Sequence, residues 1–554
     1  MPTLKIDGHE VTVEKDRTVI QACEQLGIDV PRYCYHPGLK VVGSCRMCLV
    51  DVEKMPKMQI ACNTPANDDM VVWTHTDKVK EARRSVLEFL LLNHPLDCPV
   101  CDRAGECELQ NYYMQHAQHN SRLTEDKNKK LKAFPIGPRV MLDQERCVLC
   151  SRCVRFTSDV TKTGELGIFN RGTWSEINVV PGKELNNNYS GNVVDICPVG
   201  ALLDRDFRYK MSVWYLKESV SVCPGCSNGC NIKINYNLDR SYKIEGRRIL
   251  RLKPRFNDQV NGYWMCDEGR YNYGWIDIAR IPGPLQNAAG SETPGGRASL
   301  PANLVAVEWS AVLAHVAERL KATIDTHGKE SVAVIVSPQM TNEELFAARR
   351  LFYESLGIAE MPFLIPPNPK AVSDNMLLKK DKNPNTRGAE LIFPEQKGRL
   401  VKSVMDSLVS GEIKFLYVFH SNVLEDFGAA WAGPLLDQVE TLVYHGSNVN
   451  PTMERAHVVL PAAVYAEKEG TFTNHQGRVQ RIFAAVPPMK QSHTTLEILR
   501  DLSKALNLVS VSPEASEAFG ALASSNPAYS GLTYANIGLS GKLVNQPEPA
   551  VAAD

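Results

Sequence analysis

Two textures of apolar and polar positions divide the chain near residue 276. In the first part the apolar runs are short. Residues 3–13 alternate, Leu4-Lys5-Ile6 and then Val11-Thr12-Val13, around Asp7-Gly8, which predicts a hairpin. From Thr18 the apolar positions Val19, Ile20, Cys23 and Leu26 recur at helical spacing, and residues 47–52 and 70–73 read as strands. Together these predict a small α+β domain of ferredoxin size. Residues 77–93 put Val79, Ala82, Val86, Leu87, Leu90 and Leu91 on one side of a helix that Pro95 stops. Residues 124–133 are polar and predict an exposed loop, and 231–236 and 242–245 predict strands. Beyond 276, helical stretches (308–327, 341–356, 398–410, 493–506) alternate with short β-branched or apolar runs (332–336, 415–419, 442–444, 458–460). That alternation predicts βαβ units around a parallel sheet. Residues 508–554, rich in Ala, Ser and Pro, predict a poorly ordered tail.

Composition adds a globular balance: 44% of residues are hydrophobic and 23% charged, with 62 Lys and Arg against 63 Asp and Glu. Near-neutral charge gives no reason to expect nucleic acid. No apolar run approaches the roughly 18 residues of a membrane span. The N-terminus lacks a charged start followed by an apolar stretch, so a soluble, cytoplasmic chain is expected. Cysteine changes the picture most. All 16 cysteines lie between Cys23 and Cys266. In a reducing cytosol such density indicates metal before disulfides.

The cysteines fall into four consecutive sets. Cys34-x10-Cys45-x2-Cys48-x13-Cys62, with Gly43-Ser44 before the central pair, follows the plan of a plant-type [2Fe–2S] site, although its first interval is longer than usual. His94-x3-Cys98-x2-Cys101-x5-Cys107 has three cysteines and one histidine upstream as the needed fourth donor, which predicts a His-ligated [4Fe–4S] site. Cys147-x2-Cys150-x2-Cys153 is the bacterial ferredoxin triplet, and Cys197-Pro198 closes it from a distance. Cys223-x2-Cys226-x3-Cys230, closed by Cys266, repeats the three-plus-one plan. The alternative for the first, second and fourth sets is zinc held by thiolates. Cys23 remains over, on an apolar helix face, where a small buried residue is the ordinary expectation.

Clusters fully ligated by protein, four in sequence, predict a wire rather than a site of bond chemistry. The chain has no G-x-G-x-x-G and no G-x-x-x-x-G-K-[ST] phosphate loop, so it is expected to take electrons from one partner and give them to another.

The order of the sets, and the segments HPLDCPVCDRAGECELQ, CVLCSRCVRF, DICPVGAL and CPGCSNGC, resemble the large peripheral-arm iron–sulfur subunit of NADH-quinone oxidoreductase (respiratory complex I), the counterpart of the mitochondrial 75 kDa subunit. More weakly, residues 456–482 look like the C-terminal signature of molybdopterin oxidoreductases. The resemblance implies a multidomain α+β and α/β chain. Its expected domains are a β-grasp 2Fe-2S ferredoxin-like domain (1–78), a His-ligated 4Fe-4S domain (79–120), a bacterial-ferredoxin-like 4Fe-4S domain (121–217), a 4Fe-4S domain of the Mo/W-oxidoreductase type (218–276) and a shortened molybdopterin-oxidoreductase-like α/β region (277–507). It also implies one 2Fe-2S and three 4Fe-4S clusters on the four sets named above. No molybdopterin is expected, because no cysteine after Cys266 could ligate molybdenum. The implied partners are a flavin subunit that oxidises NADH and the quinone-module subunits. The implied place is the inner face of a bacterial plasma membrane, reached only through the complex. A formate dehydrogenase subunit or an iron-only hydrogenase shares front-half modules, but each needs further cysteine or selenocysteine downstream, where this chain has none.

Overall fold

The computed structural model describes residues 1–118, 120–287, 304–364 and 371–545. The chain forms two compact units, Met1–Leu216 and Lys217–Asp554.

In the first unit, strands Thr3–Ile6 and His9–Thr12 pair as the expected hairpin, turned by Asp7 and Gly8 at φ +48° and +85°. A mixed five-stranded sheet grows from it. Thr3–Ile6 runs parallel to Val71–Trp73, which is antiparallel to Leu49–Val52, and Gln59–Ile60 closes the edge. The helix Val19–Gln25 lies against this sheet. Thr18 and Gln21 cap its start reciprocally, and Val19, Ile20 and Cys23 join Leu4, Ile6, Val50 and Val72 in one core. Next come the helix Asp77–Leu91, started by the Thr76 hydroxyl accepting from the Val79 amide (3.3 Å), and the helix Glu108–His116. The third part is built on short strands. Leu202–Asp204, Val140–Leu142 and Phe134–Pro135 form one sheet, and Leu166–Phe169 pairs with Glu176–Val179. With so little sheet, the helical turns Arg152–Arg155 and Asn192–Ile196 and their side-chain anchors hold this part together.

The second unit opens with an antiparallel sheet of Lys217–Val222, Asn231–Tyr236 and Ile249–Pro254. The strand expected at 242–245 is instead a helical turn, Ser241–Ile244, and the third strand starts at Ile249. Glu245 and Gly246 both have positive φ (58° and 78°), which extended backbone does not allow. After it stands a six-stranded sheet in which Val458–Pro461, Thr441–Gly446, Phe415–Phe419 and Val332–Ile335 are neighbours and parallel, as the alternation predicted. Leu285–Asn287 and Leu304–Ala306 extend it antiparallel. Every residue of Phe415–Phe419 is buried because helices cover both faces. Phe415, Tyr417 and Phe419 face the helices Trp309–His327, Asn342–Ala348 and Thr495–Ala505, whereas Leu416 and Val418 face Lys402–Val409 and Ala429–Leu436.

The tail expectation is corrected over 508–545. Residues Ala515–Ser525 form a helix whose Ala518, Phe519 and Leu522 enter the main core, and Tyr529, Leu532 and Ile537 follow them in. The Tyr529 hydroxyl donates to Asn342 Oδ1 (3.2 Å) and lies 3.0 Å from Thr473 Oγ1. Small residues here serve close helix packing, and the few large ones, spaced one helical turn apart, carry the burial. Residues 546–554 lie outside the described residues.

Candidate metal centres

The structure brings together the four donors of each predicted set, and every set lies within one unit. The first set occupies the loop after the β-grasp helix. Cys34, Cys48 and Cys62 are buried and Cys45 is partly exposed. The four thiols lie close enough to act on one another, Cys34 on Cys45 and Cys62 and Cys48 on Cys62. Those contacts pull Cys34 far below the usual thiol range and push Cys45 and Cys62 far above it. Gly43, at φ +62°, lets the loop pass Ile60: a Cβ there would lie 2.7 Å from its Cδ1. Carbonyls of this loop are held from a distance in sequence. Arg155 donates to the Cys34 and Lys40 carbonyls, and Arg152 donates to the Tyr35 carbonyl at 2.7 Å.

The donors of the second set line one pocket together with Asp97, Arg146 and Gly200. His94 and Pro95 follow the end of the long helix, Asp97 precedes the turn Cys98–Val100, and Cys107 stands at the start of Glu108–His116. Burial, then the Arg146 charge, lowers His94 to about 4, so the imidazole is neutral at physiological pH, the form that ligates metal. Burial pushes the Cys107 thiol up to about 11.

In the third set, Leu149 and Ser151 take left-handed φ (52° and 60°), which winds Cys147, Cys150 and Cys153 around an apolar pocket of Leu142, Ile177 and Val199. Cys197 arrives from the end of Asn192–Ile196. The last carbonyls of that helix accept from Arg103 (Val194 at 3.2 Å, Asp195 at 3.3 Å) and from Arg152 (Ile196 at 3.1 Å). The Leu149 amide donates to Cys147 Sγ at 3.4 Å. Burial holds the Cys147 and Cys150 thiols up at about 12.

The second and third sets share a wall. The Glu108 amide, next to Cys107, donates to the Pro198 carbonyl, next to Cys197, at 2.9 Å. Two residues further on, Gly200 passes so close that a Cβ would lie 2.3 Å from Cys101 Sγ.

The fourth set gathers Cys223, Cys226, Cys230 and Cys266 in a pocket with Met265 and Leu378. Its sulfurs receive protein donors, Asn228 Nδ2 to Cys230 at 3.1 Å and the Gly269 amide to Cys266 at 3.3 Å. A Cβ on Gly269 would stand 2.9 Å from Cys223 Sγ. Beyond Cys223, Gly225 and Gly269 opens a polar cavity of about 430 Å³ at the ends of the parallel strands, walled by Trp275, His420, Tyr444, Tyr465 and Lys468. The sulfur in its wall, that of Cys223, belongs to the fourth set, so the cavity offers no uncommitted thiolate to a metal.

Cys23 is fully buried in the first core, and burial pushes its thiol up to about 12. Sequence reading did not single out Arg103, Arg146, Arg152, Arg155 or Gly200. Their signal was present, since all five lie within or beside the cysteine motifs.

Residues 1–77 match the family described as 2Fe-2S iron-sulfur cluster binding domain, and 83–122 match the NADH-ubiquinone oxidoreductase-G iron-sulfur binding region. Residues 137–203 match the NADH-quinone oxidoreductase subunit 3 ferredoxin-like domain, and 301–360 with 380–505 match molybdopterin oxidoreductase. Among curated relatives, the NADH-quinone oxidoreductase-G protein of Rickettsia felis is 36% identical over 351 residues, 63% of this chain and 49% of that one. The 75 kDa subunit of NADH-ubiquinone oxidoreductase from Reclinomonas americana is 41% identical over 285 residues, 51% of this chain and 40% of its own. The NADH-quinone oxidoreductase-G protein of Rickettsia bellii is 27% identical across 97% of this chain and 90% of its own length. In the first two comparisons the matched region spans half or less of the relative. The three iron–sulfur matches follow one another in the order read from the first three cysteine sets, the molybdopterin oxidoreductase match comes after them, and the chain is similar over these stretches to NADH-quinone oxidoreductase-G proteins and to a 75 kDa subunit of NADH-ubiquinone oxidoreductase.

Proposed function

We propose that this chain is an electron-relay subunit in the peripheral arm of an NADH:quinone oxidoreductase, taking electrons from a flavin subunit and passing them towards quinone. In the whole complex that transfer is coupled to proton translocation. What supports the reading is that 15 cysteines and His94 lie in four separate groups, three of them each lining one pocket, and that the second and third groups share a wall. Iron–sulfur clusters bound there supply one-electron chemistry and no bond making. The chain's own residues exclude water, with apolar walls at the third set. They also donate hydrogen bonds to sulfur from Leu149, Asn228 and Gly269, which tunes potential. The third set's triplet, wound around an apolar pocket and closed by Cys197 from afar, favours a cluster over a single zinc ion, whose sites usually pair two short hairpins.

In this reading Cys34, Cys45, Cys48 and Cys62 hold a [2Fe–2S] cluster. Each of the other three sets, His94/Cys98/Cys101/Cys107, Cys147/Cys150/Cys153/Cys197 and Cys223/Cys226/Cys230/Cys266, holds a [4Fe–4S] cluster. The 277–507 region then serves packing and assembly without a pterin cofactor. The domain limits expected from sequence, up to residue 507, are kept as part of the proposal. In this reading the chain reaches the inner face of the plasma membrane only through its complex; among the described residues no helix is long and apolar enough to cross a membrane.

The purified, cluster-loaded chain tests this reading. Dithionite is expected to reduce its clusters, whereas NADH alone leaves them oxidised until the flavin subunit is added. Robust NADH oxidation by the chain alone would overturn the relay assignment.

A further inference from the structure

The pocket of the second set contains an ion pair. Arg146 and Asp97 both line it, and they meet through two contacts, Nη2 to Oδ2 at 2.8 Å and Nε to Oδ1 at 3.3 Å. The Arg146 side chain is only 8% exposed, and its Nε also stands 3.6 Å from Asp143 Oδ2. Lys132 reaches Asp97 from the polar loop (3.1 Å) and Glu145 (3.0 Å), from a position open to solvent. Lys127, from the same loop, donates its Nζ to the Leu91 and Leu92 carbonyls at 2.8 Å. Of these cations, Arg146 is the buried one. It lies against the backbone at Gly200, where a Cβ would be 3.5 Å from its Cδ, and its main chain runs directly into Cys147.

A guanidinium in this position keeps its charge at any pH the protein survives. Buried, it acts on neighbouring charge far more strongly than an exposed lysine does, because water screens it less. An electron added to a nearby group is stabilised by a cation and opposed by a carboxylate. Arg146 and Asp97 line the same pocket wall, so they act on the same donors in opposite directions.

We propose that the Arg146–Asp97 pair sets the reduction potential of the group held by His94, Cys98, Cys101 and Cys107, Arg146 raising it and Asp97 lowering it. This rests on the assignment of those four residues as one cluster's ligands. Both residues are positioning groups, acting by charge and not by ligation.

The opposite signs make the test. Anaerobic redox titrations of the full, cluster-loaded chain, followed by EPR, are expected to show the second set's midpoint shifting down in Arg146→Gln and up in Asp97→Asn. The double variant is expected near the wild-type value, and Arg146→Lys closer to wild type than Arg146→Gln. Lys132→Met, at an exposed site that tolerates change, is expected to shift the midpoint down by less than Arg146→Gln. It keeps the test open if Arg146→Gln does not fold. Shifts of the same sign in Arg146→Gln and Asp97→Asn, or midpoints unmoved in both with the signal intact, would overturn the inference alone. If His94→Cys left every signal of the chain unaltered, the ligand assignment beneath it would fall instead.

Discussion

Gly200 belongs by sequence to the motif that closes the third set, yet its nearest neighbour is a ligand of the second. An alanine there would place Cβ 2.3 Å from Cys101 Sγ and 3.2 Å from Arg103 Cβ. Comfortable carbon contacts begin near 3.5 Å, so a displacement of about 1 Å or more is demanded. The backbone has little freedom to supply it. On one side the Pro198 carbonyl accepts from the Glu108 amide (2.9 Å), and on the other the Ala201 carbonyl accepts from the Asp143 amide (2.8 Å). Overpacking of this kind costs about 1–3 kcal/mol, and the easiest relief is rotation of the Cys101 side chain away from the pocket. Gly200→Ala is therefore expected to lose the second set's cluster, about four iron per chain, while keeping the third set's signal. Iron and sulfide counts with EPR on the reduced chain read both at once. Val199→Ala, which enlarges the third set's pocket, is the control expected to perturb the third signal and spare the second. A Gly200→Ala chain with full iron and an unaltered second-set spectrum would refute the shared-wall geometry.

His94→Cys is expected to keep a cluster but lower its potential and change its EPR signal, because a charged thiolate replaces a neutral imidazole; unchanged spectra would mean His94 is not a ligand. Arg152→Ala strips the Tyr35 and Ile196 carbonyls of a buried charged donor, a loss of about 3 kcal/mol. It is expected to lower the denaturant midpoint for loss of the first cluster's visible circular dichroism. Tyr529→Phe leaves Asn342 and Thr473 short of a buried partner, and a loss of about 1–3 kcal/mol in urea unfolding of the full chain is expected. A midpoint equal to wild type would mean the C-terminal segment does not brace the core.

Spacing made the grouping of the cysteines legible because near neighbours in sequence meet locally: three cysteines within seven residues, Cys147 to Cys153, can line one pocket only if the loop between them winds. The parallel strands were legible because they are continuously apolar, and the capped helices because their period is regular. What spacing could not show is contact between motifs. Arg155 reaching the Cys34 carbonyl and Gly200 touching Cys101 join positions about a hundred residues apart, and nothing in either local pattern states the pairing. The C-terminal helix was missed for a different reason. Its Ala- and Ser-rich surface resembles a linker, and three apolar positions, Ala518, Phe519 and Leu522, carry its burial. At 242–245 the β-like composition was overruled by two residues in left-handed backbone.

The central claim, that these donor sets hold iron–sulfur clusters, meets its most direct test in metal and sulfide analysis of the anaerobically purified chain, paired with EPR after reduction. About 14 iron with matching inorganic sulfide per chain, one [2Fe–2S] and several [4Fe–4S] signals, and little zinc are expected. Zinc near one per set, with no sulfide and no EPR signal on reduction, would contradict it.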